Sequence, residues 1–208
     1  FDFMLIDASR LFFIIADVSG KGIPAALFMA MTKEVVRDAV QRHGAALDQV
    51  LAEANSKTAA ASSEMDMMFV TAFAGVLDLA SGELQYASAG HDRPFLIRDG
   101  SGVRQLETEG GPPLGVVDDF PFPVECDRLE VDAVLLLYTD GVTEAQDAEG
   151  GFYSASRLSQ MLSATPGQSA RTVVDACFDA VSRFVGKAEQ ADDITVLAIR
   201  RGGEPQGG

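Results

Sequence analysis

Three apolar runs rich in branched and aromatic residues each meet an acidic residue at one end. Asp17 follows Leu11-Phe12-Phe13-Ile14-Ile15-Ala16, and Asp140 follows Ala133-Val134-Leu135-Leu136-Leu137-Tyr138-Thr139. Asp192-Asp193 immediately precedes Ile194-Thr195-Val196-Leu197-Ala198-Ile199. Runs of this length and makeup read as buried strands. A carboxylate at a buried strand's tip is costly unless it is hydrogen-bonded, paired or holding a metal. Three such tips far apart in sequence are expected to be gathered by the fold into one polar site.

The rest of the chain supplies the frame. Strands are expected at 1–6 and 11–16. Pro24 opens a helix that Gly44 stops, with Leu27, Met31, Val35 and Ala39 on one face. A second helix follows at 46–60, then a small polar loop at 61–66. Strands at 69–79, 83–89, 95–98 and 103–107 are separated by Ser81-Gly82, a bend at 90–94, and Asp99-Gly100, the signals of an antiparallel meander. Further strands are expected at 124–131 and 133–139, helices at 155–163 and 169–185, and a frayed tail at 202–208. The second of these helices carries Val173, Cys177, Val181 and Phe184 at helical spacing. Strands in runs with helices in blocks imply an α+β fold, with antiparallel sheets covered by helices.

Composition narrows the function. The 208 residues carry a net charge of -15, from 31 acidic and 16 basic side chains. That speaks against nucleic acid, whose phosphates need clustered Lys and Arg, and against anionic membrane surfaces. Cys126 and Cys177 have no metal or redox spacing and read as free buried thiols, in keeping with a reducing cytoplasm. No apolar stretch reaches the roughly 18 residues of a membrane span. Phe1 lies inside a strand-like run, so the chain is expected to be part of something longer.

Three carboxylates within about 5 Å would repel by about 3 kcal/mol per pair at an effective dielectric near 20. A hard divalent cation would offset this, and oxygen-only ligands select magnesium or manganese over zinc. Two cations bridged by a carboxylate would carry an activated water able to attack phosphorus in line. Phosphate-ester hydrolysis is the chemistry this arrangement suits. Any one of the acids alone reads as a turn former or helix cap. A phosphoacceptor receiver would place its acidic pair after the first strand of an alternating βα chain. The Ser19-Gly20-Lys21-Gly22 loop lacks P-loop spacing.

The string ADVSGKGIPAALFMA at 16–30 resembles the metal-binding loop and first long helix of bacterial SpoIIE-like serine/threonine phosphatases, a branch of the metal-dependent PPM (type 2C) superfamily. SAGHDRPFLIR at 88–98, GGPPLGV at 110–116, YTDGVTEA at 138–145 and ADDITVLAIR at 191–200 match in the family's order. The resemblance implies an αββα sandwich over residues 1–201, two central mostly antiparallel sheets flanked by helices, with metals bound between the sheets at one edge. It implies that Asp17, with the Val18 carbonyl beside it, bridges two Mn or Mg ions. It implies further that Asp140 and Asp192 hold the second metal, with Asp193 assisting. Asp17, Asp140 and Asp192 would thus act through a metal-bound water. Residues 141–145 match the start of the family's regulatory switch region. His91 either supports the site or serves as a structural hydrogen-bonding residue.

The resemblance also implies an additional metal-binding Asp ahead of Phe1, a role not transferred to Asp2. The implied substrate is a phosphorylated STAS-type anti-sigma-factor antagonist, with a sensor or receiver domain upstream and a homodimer left open. Two other functions compete. One is a non-catalytic phosphatase-like module that binds a partner in a signalling protein. The other is hydrolysis of a small phosphorylated metabolite, which needs basic residues near the motifs; Arg93 is one of few, and it reads equally well as surface.

Overall fold

The computed structural model describes residues 1–62, 68–98, 102–164, 169–190 and 192–202. They divide into two compact units, the first formed by residues 1–91 and 107–128, the second by 92–106 and from 129 onward.

The first unit holds β1 (Asp2–Leu5), β2 (Arg10–Val18), α1 (Ile23–His43), α2 (Leu47–Ser62), β3 (Val70–Asp78) and β4 (Glu83–Ala89). One later strand, Glu125–Arg128, also belongs to it and is β7 in chain order. The five strands form an antiparallel sheet in the order β1-β2-β3-β4-β7. Phe12 and Ile14 of β2 pack with Phe28, Val36 and Val40 of α1 and with Val50 and Leu51 of α2. Burial of such side chains contributes roughly 1.5–3 kcal/mol each. Gly75 in β3 has no room for a side chain, since a Cβ there would stand 2.4 Å from the Phe13 ring.

The sequence places α1 well but misplaces its buried face. Ala25, Phe28, Thr32, Val36, Ala39 and Val40 face the core, whereas Leu27 is 61% exposed. The helix carries apolar residues on several faces, and the sheet selects the stripe bearing Phe28, the bulkiest of them. Gly44 ends α1 at φ +60°, a conformation that costs glycine little, and its N–H donates to the Val40 carbonyl at 2.8 Å.

A cluster on Glu53 ties α1 to α2. Its carboxylate pairs with Lys57 and His43, each at 2.7 Å, and with Arg42. Lys57 first, then His43 and Arg42, hold its pKa down at about 2. A depressed carboxylate pKa contributes stability above its unfolded value, lost as pH falls through the folded one. Between about pH 5 and pH 2 the melting temperature of Glu53→Gln should therefore fall less than that of wild type, as circular-dichroism melts would show.

The second unit holds β5 (Phe95–Arg98), β6 (Gly102–Gln105), β8 (Val134–Tyr138), α3 (Asp140–Thr143), α4 (Ser154–Ser163), α5 (Ala170–Val185) and β9 (Val196–Arg200). Its antiparallel sheet runs in the order β6-β5-β8-β9. Phe95, Leu136 and Tyr138 pack with Leu158 of α4 and with Val173, Cys177 and Val181 of α5. Both cysteines are free, as expected; Cys126 is exposed rather than buried, because its strand β7 lies at the sheet's edge. Burial pushes the Cys177 thiol up to about 12, so it is an inert packing residue.

The α+β class, with two antiparallel sheets and helices packed on them, is as expected. The meander is not continuous. The hairpins β3–β4 and β5–β6 form, but β4 and β5 belong to different sheets. Between them Gly90 adopts φ +71° against Pro113, and Pro94 has no N–H to give a ladder. The expected Asp99-Gly100 turn, residues 63–66 of the expected loop and the tail from 203 onward lie outside the described residues; Ala61 and Ser62 continue α2.

Candidate active site

Asp17 and Val18 are the last two residues of β2, paired with Thr71 and Val70 of β3. The strand therefore continues through the acid rather than stopping before it, because β3 offers partners that far. The Thr71 hydroxyl lies 3.5 Å from the Asp17 carbonyl and 3.0 Å from His91 Nδ1. His91 is buried, its N–H donating to Ser88 Oγ at 3.2 Å while that hydroxyl donates to its carbonyl at 3.1 Å. Ser19 and Phe69 exchange two hydrogen bonds, both 2.9 Å, which fix the exit from Val18. Gly20 and Gly22 then take φ of +101° and +81° to turn the chain into α1.

The GGPPLGV segment braces this end of β3. Val70 and Leu114 exchange N–H···O bonds of 3.1 and 2.8 Å. Asn55 of α2 clasps the same segment, accepting from Gly115 N–H at 2.9 Å and donating to the Val117 carbonyl at 2.8 Å. Asp2 lies elsewhere in chemistry: it is bidentate to Arg37 with Lys33 beside it. The Arg37 guanidinium holds its carboxyl below the usual range.

In the second unit a threonine clasp brings two acidic segments together. Thr139 N–H donates to the Thr195 carbonyl at 3.1 Å, and Thr195 N–H donates to Thr139 Oγ1 at 3.0 Å. Thr139 Oγ1 also lies 3.3 Å from the Asp193 carbonyl. The backbones of Asp140-Gly141 and Asp192-Asp193 thereby run in contact, so close that a Cβ on Gly141 would stand 2.3 Å from the Asp193 carbonyl oxygen. Asp140 begins α3 and is exposed; Asp192 Oδ1 accepts from Asp193 N–H at 2.8 Å.

Sequence reasoning missed Asp92. Its Oδ2 is buried with no hydrogen-bond partner. Burial first, then the like charges of Asp140 and Glu144, push its pKa up against a Thr143 hydroxyl that stabilises the anion. Its position in the Ser88–Arg98 motif, beside His91, was the signal available. Arg93 next to it is exposed. An orphaned carboxylate oxygen among like charges, with only oxygen donors at hand, fits a hard divalent cation. Among the described residues, however, no group of three Asp, Glu, His or Cys side chains has the arrangement of a metal site.

A raised carboxylate pKa means that the folded state holds its proton more tightly, so stability falls as pH rises from the unfolded value through the folded one. At neutral pH without metal, Asp92→Asn should therefore melt at or above the wild-type temperature. Differential scanning calorimetry in chelator reads this directly.

The sequence model of the family described as Stage II sporulation protein E (SpoIIE) matches residues 7–202. The Protein IcfG of Synechocystis is 28% identical over 97% of this chain and 35% of its own length. The phosphoserine phosphatase RsbU of Bacillus subtilis is 31% identical over 90% of this chain and 54% of its own length. The chain thus spans from about a third to about half of these relatives. Among solved structures, the PP2C phosphatase domain of SpoIIE from Bacillus subtilis superposes with a TM-score of 0.80, covering 96% of this chain and 57% of that one at 18% identity. RsbX in complex with magnesium gives 0.67, covering 94% and 83% at 15% identity. No described helix is long and apolar enough to cross a membrane.

Proposed function

Since the chain belongs to the SpoIIE family of PPM-type phosphatases, we propose that it removes phosphate from phosphoserine or phosphothreonine on a regulatory protein. The substrate class we assign is a STAS-type anti-sigma-factor antagonist, in keeping with the named phosphoserine phosphatase among its relatives. In this reading residues 1–201 act as one phosphatase domain of a longer cytoplasmic protein, with a sensor or receiver domain upstream and its oligomeric state left open.

Asp17, the Val18 carbonyl, Asp140, Asp192 and Asp193 would hold two divalent cations, Mn or Mg. When bound, these supply charge neutralisation and an activated water for in-line attack at phosphorus. The chain's own part is positioning. Thr139 and Thr195 lock the Asp140 and Asp192-Asp193 backbones against each other, and Ser19, Thr71 and the Leu114 brace fix the end of β2. The threonine clasp carries the reading most directly, because it turns two remote acidic motifs into neighbours.

The competing reading is a phosphatase-like module that signals by binding alone. Phosphate release from a phosphorylated STAS protein separates the two. The enzyme reading expects release that chelator abolishes and manganese restores; no release at any metal concentration would leave the binding module.

A further inference from the structure

The second unit contains a cavity of about 330 Å³ lined in part by Gly141. That size falls at the lower end of the ~300–1,000 Å³ typical of ligand pockets. Its apolar walls are Phe178, Val181 and Val185 from the last turns of α5, with Ile194 ahead of β9. Its polar lining comes from Gln146 after α3, Ser182 on α5 and Glu189 in the loop beyond it. No Lys or Arg lines it, and Glu189 makes no ion pair among the described residues. The cavity also opens at the C-terminal end of the 16-residue α5, capped by Gly186, where the helix dipole adds negative potential.

Carboxylate, helix C-terminus and apolar walls together select an amphipathic cation. We propose that the cavity receives an arginine side chain from a basic segment of a partner protein. Its methylenes would lie on Val181, Val185 and Ile194. The planar guanidinium has five donors, enough for Glu189, Ser182 and a glutamine oxygen, and a flat face for the 42%-exposed Phe178 ring. The same unit already makes such a pair, with Arg157 stacked 5.0 Å from the centre of the Phe184 ring. A net charge of -15 favours approach by a basic partner.

The occupant would touch both acid-bearing segments. Gly141 forms one wall, and its backbone abuts Asp193. Gln190 forms another, and its Nε2 donates to the Asp192 carbonyl at 2.8 Å. Filling the cavity therefore fixes the spacing of Asp140 and Asp192. This effect on turnover rests on the phosphatase reading, whereas the binding itself does not.

The test is a titration of ¹⁵N-labelled protein with N-acetyl-arginine amide, with N-acetyl-citrulline amide and spermidine as parallel arms. Saturable amide shifts are expected at Gly141, Gly186 and Gln190, weakened about fivefold by Glu189→Gln, as loss of one charge-assisted pair implies. No saturable shift, or equal binding of the citrulline analogue, would overturn the proposal; a preference for spermidine would reassign the cavity to polyamines. At saturation, turnover of a phosphoserine substrate should change by about twofold or more, and saturable binding with unchanged turnover would overturn the coupling. Binding as expected in a protein that hydrolyses no phosphoserine would count against the catalytic reading and support the cavity's assignment.

Discussion

Asp140→Asn is expected to lower turnover of a phosphoserine substrate by about two to three orders of magnitude, the loss typical when one charge-stabilising group leaves an active site. The change is isosteric and touches little else. The Asp140 side chain is exposed, and the helix-initiating bonds from Glu144 N–H and the Thr143 hydroxyl go to its backbone carbonyl. Removing its charge also relieves the repulsion on Asp92. The variant should therefore melt no lower than metal-free wild type, and a large loss of melting temperature would show that the carboxylate has a structural partner. Asp17→Asn should lose turnover to a similar extent. Parallel kinetic and calorimetric measurements on the two variants separate charge lost at the site from damage to the fold.

Gly141→Val carries the largest expected cost to structure. Even the first carbon of a side chain would fall 2.3 Å from the Asp193 carbonyl oxygen and 3.0 Å from its carbon. Backbone atoms cannot rotate aside as a flexible side chain can, and Thr139, itself bonded to Thr195, already holds that same Asp193 carbonyl. Overpacking of this kind costs about 1–3 kcal/mol, or roughly 2–4 °C of melting temperature per kcal/mol in a protein of this size. The strain falls on Asp192 and Asp193, so turnover should drop further than stability alone explains. Gly141→Ala should show the same pattern to a smaller degree, measured as melting temperature against turnover in the two variants.

Much of the fold was legible because its signals are local. The run from Leu11 to Ala16 had to be a strand, and Pro24 with Gly44 bracketed a helix that the structure places at Ile23–His43. What local pattern could not decide was which of α1's apolar stripes the sheet would select. Nor could it tell that the chain changes sheets after His91, since both hairpins look alike to a periodicity argument. The acids were visible as residue types at strand ends, yet the contacts that order them were not. Thr139 and Thr195 meet across 56 residues, and Asp92 becomes unusual only when burial and the charge of Asp140 reach it. Gly141 illustrates the same limit. Its sequence context suggests a turn, whereas its requirement comes from another segment's carbonyl oxygen.

The proposed role of Asp17, Asp140 and Asp192 as cation ligands is tested most directly by manganese titration calorimetry on wild type and Asp140→Asn. Saturable uptake by wild type, abolished or strongly weakened in the variant, is the expected result. No uptake by wild type, or equal uptake by both proteins, would contradict it.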